Sequence, residues 1–223
     1  MTALEPAGYV PLNERPLGGH MRMLAMVGPG ERRVLDVGCS SGYLARPLVE
    51  RGCTVVGIER DLQAAAAARE VCEDVIVGDV EELELPFERG SFDVVLCGDL
   101  VEHLRDPEVF LARVQPLLKR DGRLVLTTPN VANWALRLSL LGGRWRYKDR
   151  GLLDRTHVHF FTRKTLVETL DKAGYRVLEL DFTVPIPSPV ASRRHALERV
   201  AHTVGRLRPS LVAYQFIVAA EPK

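Results

Sequence analysis

Val34–Leu44 reads VLDVGCSSGYL: an apolar run carrying one acid, Asp36, followed at once by Gly38 and Gly42 and then by a segment of helical character. A run of strand length that turns through glycines into a helix is the opening unit of a doubly wound α/β fold. Glycine there lets the backbone turn tightly and approach a ligand. The same rhythm repeats outward at Arg33–Val37, Thr54–Ile58, Asp74–Val77, Phe92–Cys97 and Arg123–Thr127. These runs are nearly unbroken rather than alternating, as strands buried on both faces of a parallel sheet are. Helix-like segments separate them at Tyr43–Arg51, Asp61–Cys72 and Pro107–Lys119, with Asp61 a candidate N-cap and Gly52 and Gly122 candidate stops.

The final third changes character. Thr162–Ala173 reads as an amphipathic helix stopped by Gly174, and Arg176–Val184 and Leu211–Ala219 read as strands around a helical Ala196–Leu207. The expectation is an α/β, Rossmann-like, seven-stranded and mostly parallel sheet with an antiparallel last strand and helices on both faces. Residues 1–223 are expected to form one domain, with a substrate-side insertion at about 130–161 that holds both tryptophans.

Composition narrows the class. The chain has 223 residues, 46% of them apolar and 26% charged, which is ordinary for a globular protein and argues against disorder. Thirty Lys and Arg against 29 Asp and Glu leave +1, so no bulk charge recruits nucleic acid or membrane. The charge is nevertheless polarised: Gly142–Lys164 holds five Arg and two Lys against two Asp, and Arg193–Arg208 five Arg against one Glu. Cys39, Cys53, Cys72 and Cys97 form no CxxC pair, so reduced thiols and a cytoplasmic location are expected. Met1–Pro11 lacks a basic start followed by an apolar stretch, so no secretory signal is expected, and no apolar run approaches the length that spans a bilayer.

Three acids stand at the ends of successive strands. Asp36 in the first would repel a pyrophosphate and attract a ligand carrying an ammonium and a sulfonium, which is S-adenosylmethionine. Glu59, with Arg60 beside it, closes the second strand where ribose hydroxyls would donate; Asp79 follows the third, near where an adenine amino group would lie. Asp99 and Leu100 after the fourth complete the rim. The loop lacks both GK[ST] and GxGxxG, which removes a P-loop and weakens a dinucleotide site.

Carrying LDVGCSSG, GIERD and GDVEELELPFERGSFDVVLCGDLVEHLRDP, the chain resembles the class I S-adenosylmethionine-dependent methyltransferases over nearly its whole length. It is most similar to the small-molecule subgroup that includes the ubiquinone-biosynthesis O-methyltransferases. The resemblance implies that backbone groups of Gly38 and Cys39 hold the methionine end of the cofactor, Glu59 the ribose, and Asp79 with Val80 the adenine. Ser40 stands where many members have a third glycine.

Methyl transfer needs an aligned nucleophile and, for a hydroxyl, a base; histidine suits neutral pH. The candidates are His103, in DLVEHL, and His157 and His159, in GLLDRTHVHFFT. His157 is the expected base, oriented or charged by Asp154, and an extended Thr156–Phe160 would turn His157 and His159 to one face. Each imidazole has an alternative role in packing. The basic insertion points to an acceptor with negative charge: an anionic sugar, a quinone precursor or a secondary metabolite. Apolar Asn133–Leu141 reads as a lid or substrate wall, with peripheral membrane contact the weaker alternative. O-methylation leads; N- or C-methylation and a non-catalytic partner protein of the same fold are the alternatives. No nucleic-acid stripe, no NPPY tetrad and no carboxylate cluster with metal-ligand spacing is present.

Overall fold

The computed structural model describes residues 18–184 and 194–223. In chain order the elements are α1 (Gly19–Val27), β1 (Arg33–Val37), α2 (Ala45–Val49), β2 (Thr54–Glu59), α3 (Leu62–Ala68) and β3 (Asp74–Val77). Then come β4 (Phe92–Gly98), α4 (Pro107–Val114), β5 (Leu118–Pro129), α5 (Trp134–Leu141), α6 (Arg163–Lys172), β6 (Tyr175–Thr183), α7 (Arg194–Gly205), α8 (Pro209–Val212) and β7 (Gln215–Pro222).

The strands form one sheet in the order β3-β2-β1-β4-β5-β7-β6. β1 pairs in parallel with β2 and β4, β2 with β3, and β4 with β5. Only β7 runs against its neighbours, wedged between β5 and β6. The chain leaves β1 toward β3 and then returns to lay β4 on the other side. That reversal opens a crevice at the carboxyl ends of β1 and β4, where open α/β sheets take ligands.

Alternate residues of the central strands feed two apolar layers. Leu35 and Val37 join Phe110, Leu111, Leu166 and Leu170 on one face. Val34, Val55 and Val94 join Met23, Leu24, Ala65 and Ala68 on the other. Helices therefore cover both faces, which is why the strand sequences lack alternation.

Boundaries moved where local chemistry outweighed the pattern. The helix expected to reach Lys119 ends at Val114 and tightens into a 3-10 turn at Gln115–Leu117, because Pro116 cannot continue the ladder. Gly122 is thus no helix stop; it lies inside β5, where a Cβ would meet Lys119 and Phe92 backbone atoms at 3.0–3.1 Å. The last strand starts at Gln215 rather than Leu211, since Pro209 opens α8 across that segment. Helix α1 had no sequence signal, yet it buries Met23, Leu24, Met26 and Val27. No helix among the described residues is long and apolar enough to cross a membrane.

Candidate functional site

The glycine loop is held by its own backbone. The N–H groups of Gly38 and Cys39 both donate to the Ile58 carbonyl, at 2.8 and 3.1 Å, which folds the end of β1 over β2. Gly38 and Gly42 take φ of 75° and 76°, a region that only glycine enters freely. Ser40 also has a positive φ, 49°, a strained value for a residue with a side chain. Its N–H donates to Glu59 Oε2 at 2.9 Å, while the Asp61 N–H donates to Oε1 at 2.9 Å. Glu59 therefore braces the loop, and each oxygen keeps a lone pair to accept from a ligand hydroxyl.

A groove of about 220 Å³ runs along this edge, lined by Gly38, Glu59, Arg60, Asp79, Val80, Leu100 and His103 among others. Asp79 Oδ1 also accepts from the Glu81 N–H at 2.9 Å, which pins the loop after β3. Cys39 and Asp36 lie beneath the groove rather than in its wall; both are buried. Cys39 Sγ sits where a Cβ on Gly57 would come within 2.6 Å, so only its backbone faces the loop surface. Asp36 Oδ2 is buried without a hydrogen-bond partner, and burial, with Glu59 nearby, pushes its pKa up to about 7. A buried carboxylate oxygen with no donor calls for one from outside the chain. The ammonium of S-adenosylmethionine would answer that need, and Glu59 and Asp79 would hold a ribose and an amino-bearing base.

Beyond His103 the groove opens into a chamber of about 710 Å³, sharing Arg60, His103 and Thr156 with it. Asp99, Glu102, Asp154, His157, Tyr214, Gln215 and, from α1, His20 line the chamber. Asp99 turns in with φ 49°, its N–H donating to Thr127 Oγ1 at 2.9 Å and its Oδ1 accepting from Gln215 at 2.5 Å. The His103 and His157 rings meet edge to face, 4.9 Å between centroids. A carbonyl can only accept, so His103 Nδ1 donates to Thr156 O at 3.2 Å. Burial and the neighbouring His103 lower the pKa of His157, favouring a neutral ring.

Asp154 reaches His157 through charge and backbone rather than through a bond to the ring. Its Oδ1 is taken by the Thr156 N–H and hydroxyl at 2.8 and 2.6 Å, and the His157 N–H donates to the Asp154 carbonyl at 3.2 Å. Burial works against its ionisation, yet the Thr156 bonds prevail and keep the Asp154 pKa low. His157 and His159 do not share a face. His157 lies against Phe160, whereas His159 stacks on Phe161 and donates to the Arg105 carbonyl at 3.0 Å. The segment is a strap rather than a strand, fastened by the Val158 and His159 N–H groups to the Glu102 carbonyl at 2.8 and 3.0 Å.

Glu102 is the residue that sequence reading passed over. It is 1% exposed, with Oε2 accepting from Thr128 at 3.0 Å and Oε1 unpartnered. Burial, then the Asp99 charge, raise its pKa well above the usual carboxylate range. One Glu102 oxygen and one nitrogen each of His103 and His157 lie within 4.8 Å of one another. That spacing is too long for direct hydrogen bonds among the three but is within reach of one divalent cation. An acid next to Val101 and two before Leu104, in a segment that had to pack on β5, was the available signal.

Sheet order, loop and groove together define an α/β protein that takes a nucleoside-bearing cofactor at its switch point. Residues 12–180 match the methyltransferase-domain family, and the chain belongs to it: this is a class I S-adenosylmethionine-dependent methyltransferase. The ubiquinone biosynthesis O-methyltransferase of Bradyrhizobium diazoefficiens is 37% identical over 131 residues, which are 55% of this chain and 50% of that protein. Its namesake from Xanthomonas axonopodis pv. citri is 34% identical over 161 residues, 69% of this chain and 66% of the relative. The chain thus spans half to two thirds of these curated relatives. Among solved structures, a SAM-dependent methyltransferase from Archaeoglobus fulgidus superposes with a TM-score of 0.64, at 22% identity, over 90% of each chain. One from Mesorhizobium loti gives 0.62 at 21% identity, covering 91% of this chain and 97% of that one. At those identities the likeness is one of fold.

Proposed function

We propose that the chain O-methylates a small anionic molecule whose hydroxyl enters the chamber beside His103 and His157. The observation that carries this reading is the pair of imidazoles above buried Glu102, in a chamber that opens directly on the cofactor groove. Bound S-adenosylmethionine supplies an electrophilic methyl on a positively charged sulfur. What remains for the chain is to hold the acceptor in line and take its proton. His157, kept neutral by burial, accepts that proton on a ring nitrogen, and Asp154 nearby offsets the charge that forms. Residues of the stretch 149–157, which leads into the strap, wall the chamber and limit water. The four cysteines are buried free thiols, which fits a reducing, cytoplasmic setting.

The test starts with calorimetric titration by S-adenosylhomocysteine, followed by a panel of hydroxyl, amine and activated-carbon acceptors. Transfer to hydroxyls is expected, and His157→Gln should lower turnover by about 10²–10⁴-fold while cofactor affinity holds. Full turnover in that variant removes His157 from the chemistry. Transfer to amines alone replaces the nucleophile.

A further inference from the structure

A second cavity, of about 460 Å³, adjoins the chamber and shares Arg150, Gly151 and Tyr214 with it. That is the size of a small-ligand pocket. Its floor is apolar, with Leu136 of α5 and Leu153 both buried. Its wall is not: Arg144, Arg146, Lys148 and Arg150 all line it, and no carboxylate does.

The cations are in register rather than scattered. They fall at every second position of one segment, and all four line the same cavity. The intervening residues turn elsewhere. Trp145 packs edge-on against Phe160 and Tyr147, at 5.5 and 6.3 Å between centroids. Asp149 pairs with Arg155 at 2.9 Å. Both ends of the segment are fastened: the Arg144 N–H and carbonyl bond to Ser139 of α5 at 2.8 and 2.9 Å, and the Lys148 N–H donates to the Leu153 carbonyl at 2.8 Å. Gly151 takes φ 97° where a Cβ would meet the Tyr214 hydroxyl at 2.9 Å, which brings that hydroxyl to the junction of the two spaces. No carboxylate among the described residues forms an ion pair with any of the four cations.

We propose that this cavity is an anion subsite and that the acceptor is a phosphorylated molecule, its phosphate or diphosphate held by Arg144, Arg146, Lys148 and Arg150 while its hydroxyl lies in the adjoining chamber. This rests on the methyl-transfer reading above and specifies its substrate class. A carboxylate would neutralise one of four cations, whereas a phosphate ester carries about −1.5 to −2 and accepts from several donors at once. Arginine forks match phosphate oxygens in pairs, and three of the four cations are arginine. Methyl transfer leaves the phosphate untouched, so the subsite supplies orientation and selectivity only.

The test is calorimetry of the full chain, saturated with S-adenosylhomocysteine, titrated with pyrophosphate and with inorganic phosphate. Wild type should bind pyrophosphate more tightly than phosphate, and salt should weaken both. The triple variant Arg144→Gln/Arg146→Gln/Lys148→Gln should bind pyrophosphate about tenfold or more weakly. Its unchanged S-adenosylhomocysteine affinity would show that the fold survives. Equal pyrophosphate affinity in wild type and variant, or no binding at millimolar concentration, overturns the proposal. So does binding to phosphatidylglycerol vesicles without binding to soluble pyrophosphate, which assigns the cations to a lipid surface. Pyrophosphate binding in a chain that ignores S-adenosylhomocysteine leaves the anion subsite standing and sinks the methyl-transfer reading instead.

Discussion

Asp36 shows how a single carboxyl can couple protonation to ligand binding. Unfolded, it ionises near pH 4; folded, burial beside Glu59 holds its proton up to about pH 7. Between those values unfolding releases a proton, so its contribution to stability is full below pH 4 and is lost as pH rises toward 7. The loss is on the order of 4 kcal/mol for a group this deeply buried. Denaturant melts of wild type and Asp36→Asn should therefore diverge in slope across that window, with the variant the flatter of the two. A cofactor ammonium placed against Oδ2 favours the ionised form, so binding near pH 6.5 should release a proton from wild type and none from the variant. Calorimetry in buffers of different ionisation enthalpy reads that proton; equal release from both proteins would place the ammonium elsewhere. The position of Asp36 in the first strand, just before the glycine turn, was legible in LDVG, because strand, acid and glycine adjoin in sequence. Its burial and missing partner were not, since they depend on tertiary packing that brings Glu59 from the second strand against it.

At the scale of elements, what sequence periodicity carries and what it misses separate cleanly. β1 and β3 begin and end where the apolar runs do, because strands buried on both faces have no other way to be written. Helices α1 and α5 escaped that reading. α1 is recognisable as an element only through its burial against β5 and β7, and α5 leaves Trp134, Leu138 and Leu141 exposed. The strap was misread for a related reason: its direction is set by the Glu102 carbonyl and not by its own alternation. Placement of α5 depends instead on two buried asparagines. Asn130 and Asn133 both donate from Nδ2 to the Ala213 carbonyl, at 2.8 and 2.9 Å, and Asn133 Oδ1 caps α5 by accepting from the Ala135 N–H at 3.0 Å. Asn133→Ala removes the cap and one of the two donors to the Ala213 carbonyl, so it should destabilise by about 1–2 kcal/mol. It should also weaken pyrophosphate binding, because α5 supplies the floor of the basic cavity. A variant with wild-type stability and wild-type anion affinity would show that α5 is positioned by other contacts.

For the whole molecule, the switch point divides the sheet into a β1–β2–β3 half and a β4–β5–β7–β6 half. The groove takes residues from both: Gly38, Glu59 and Asp79 from one, Leu100 and His103 from the other. A ligand there bridges the halves and binds only the folded chain, so it stabilises by mass action. At a hundredfold excess over Kd that amounts to about 2.7 kcal/mol, or roughly 5–10 °C in Tm for a chain of this size. Differential scanning of the apo and S-adenosylhomocysteine-bound protein should show that shift. Glu59→Ala should act twice. The apo Tm should fall, because the Ser40 and Asp61 N–H groups lose their acceptor. The ligand-dependent shift should shrink as well, because the ribose hydroxyls lose theirs. The two effects are separable. A lower apo Tm with an undiminished shift would mean that Glu59 only braces the loop, and that the ribose is held from the Asp79 side of the groove.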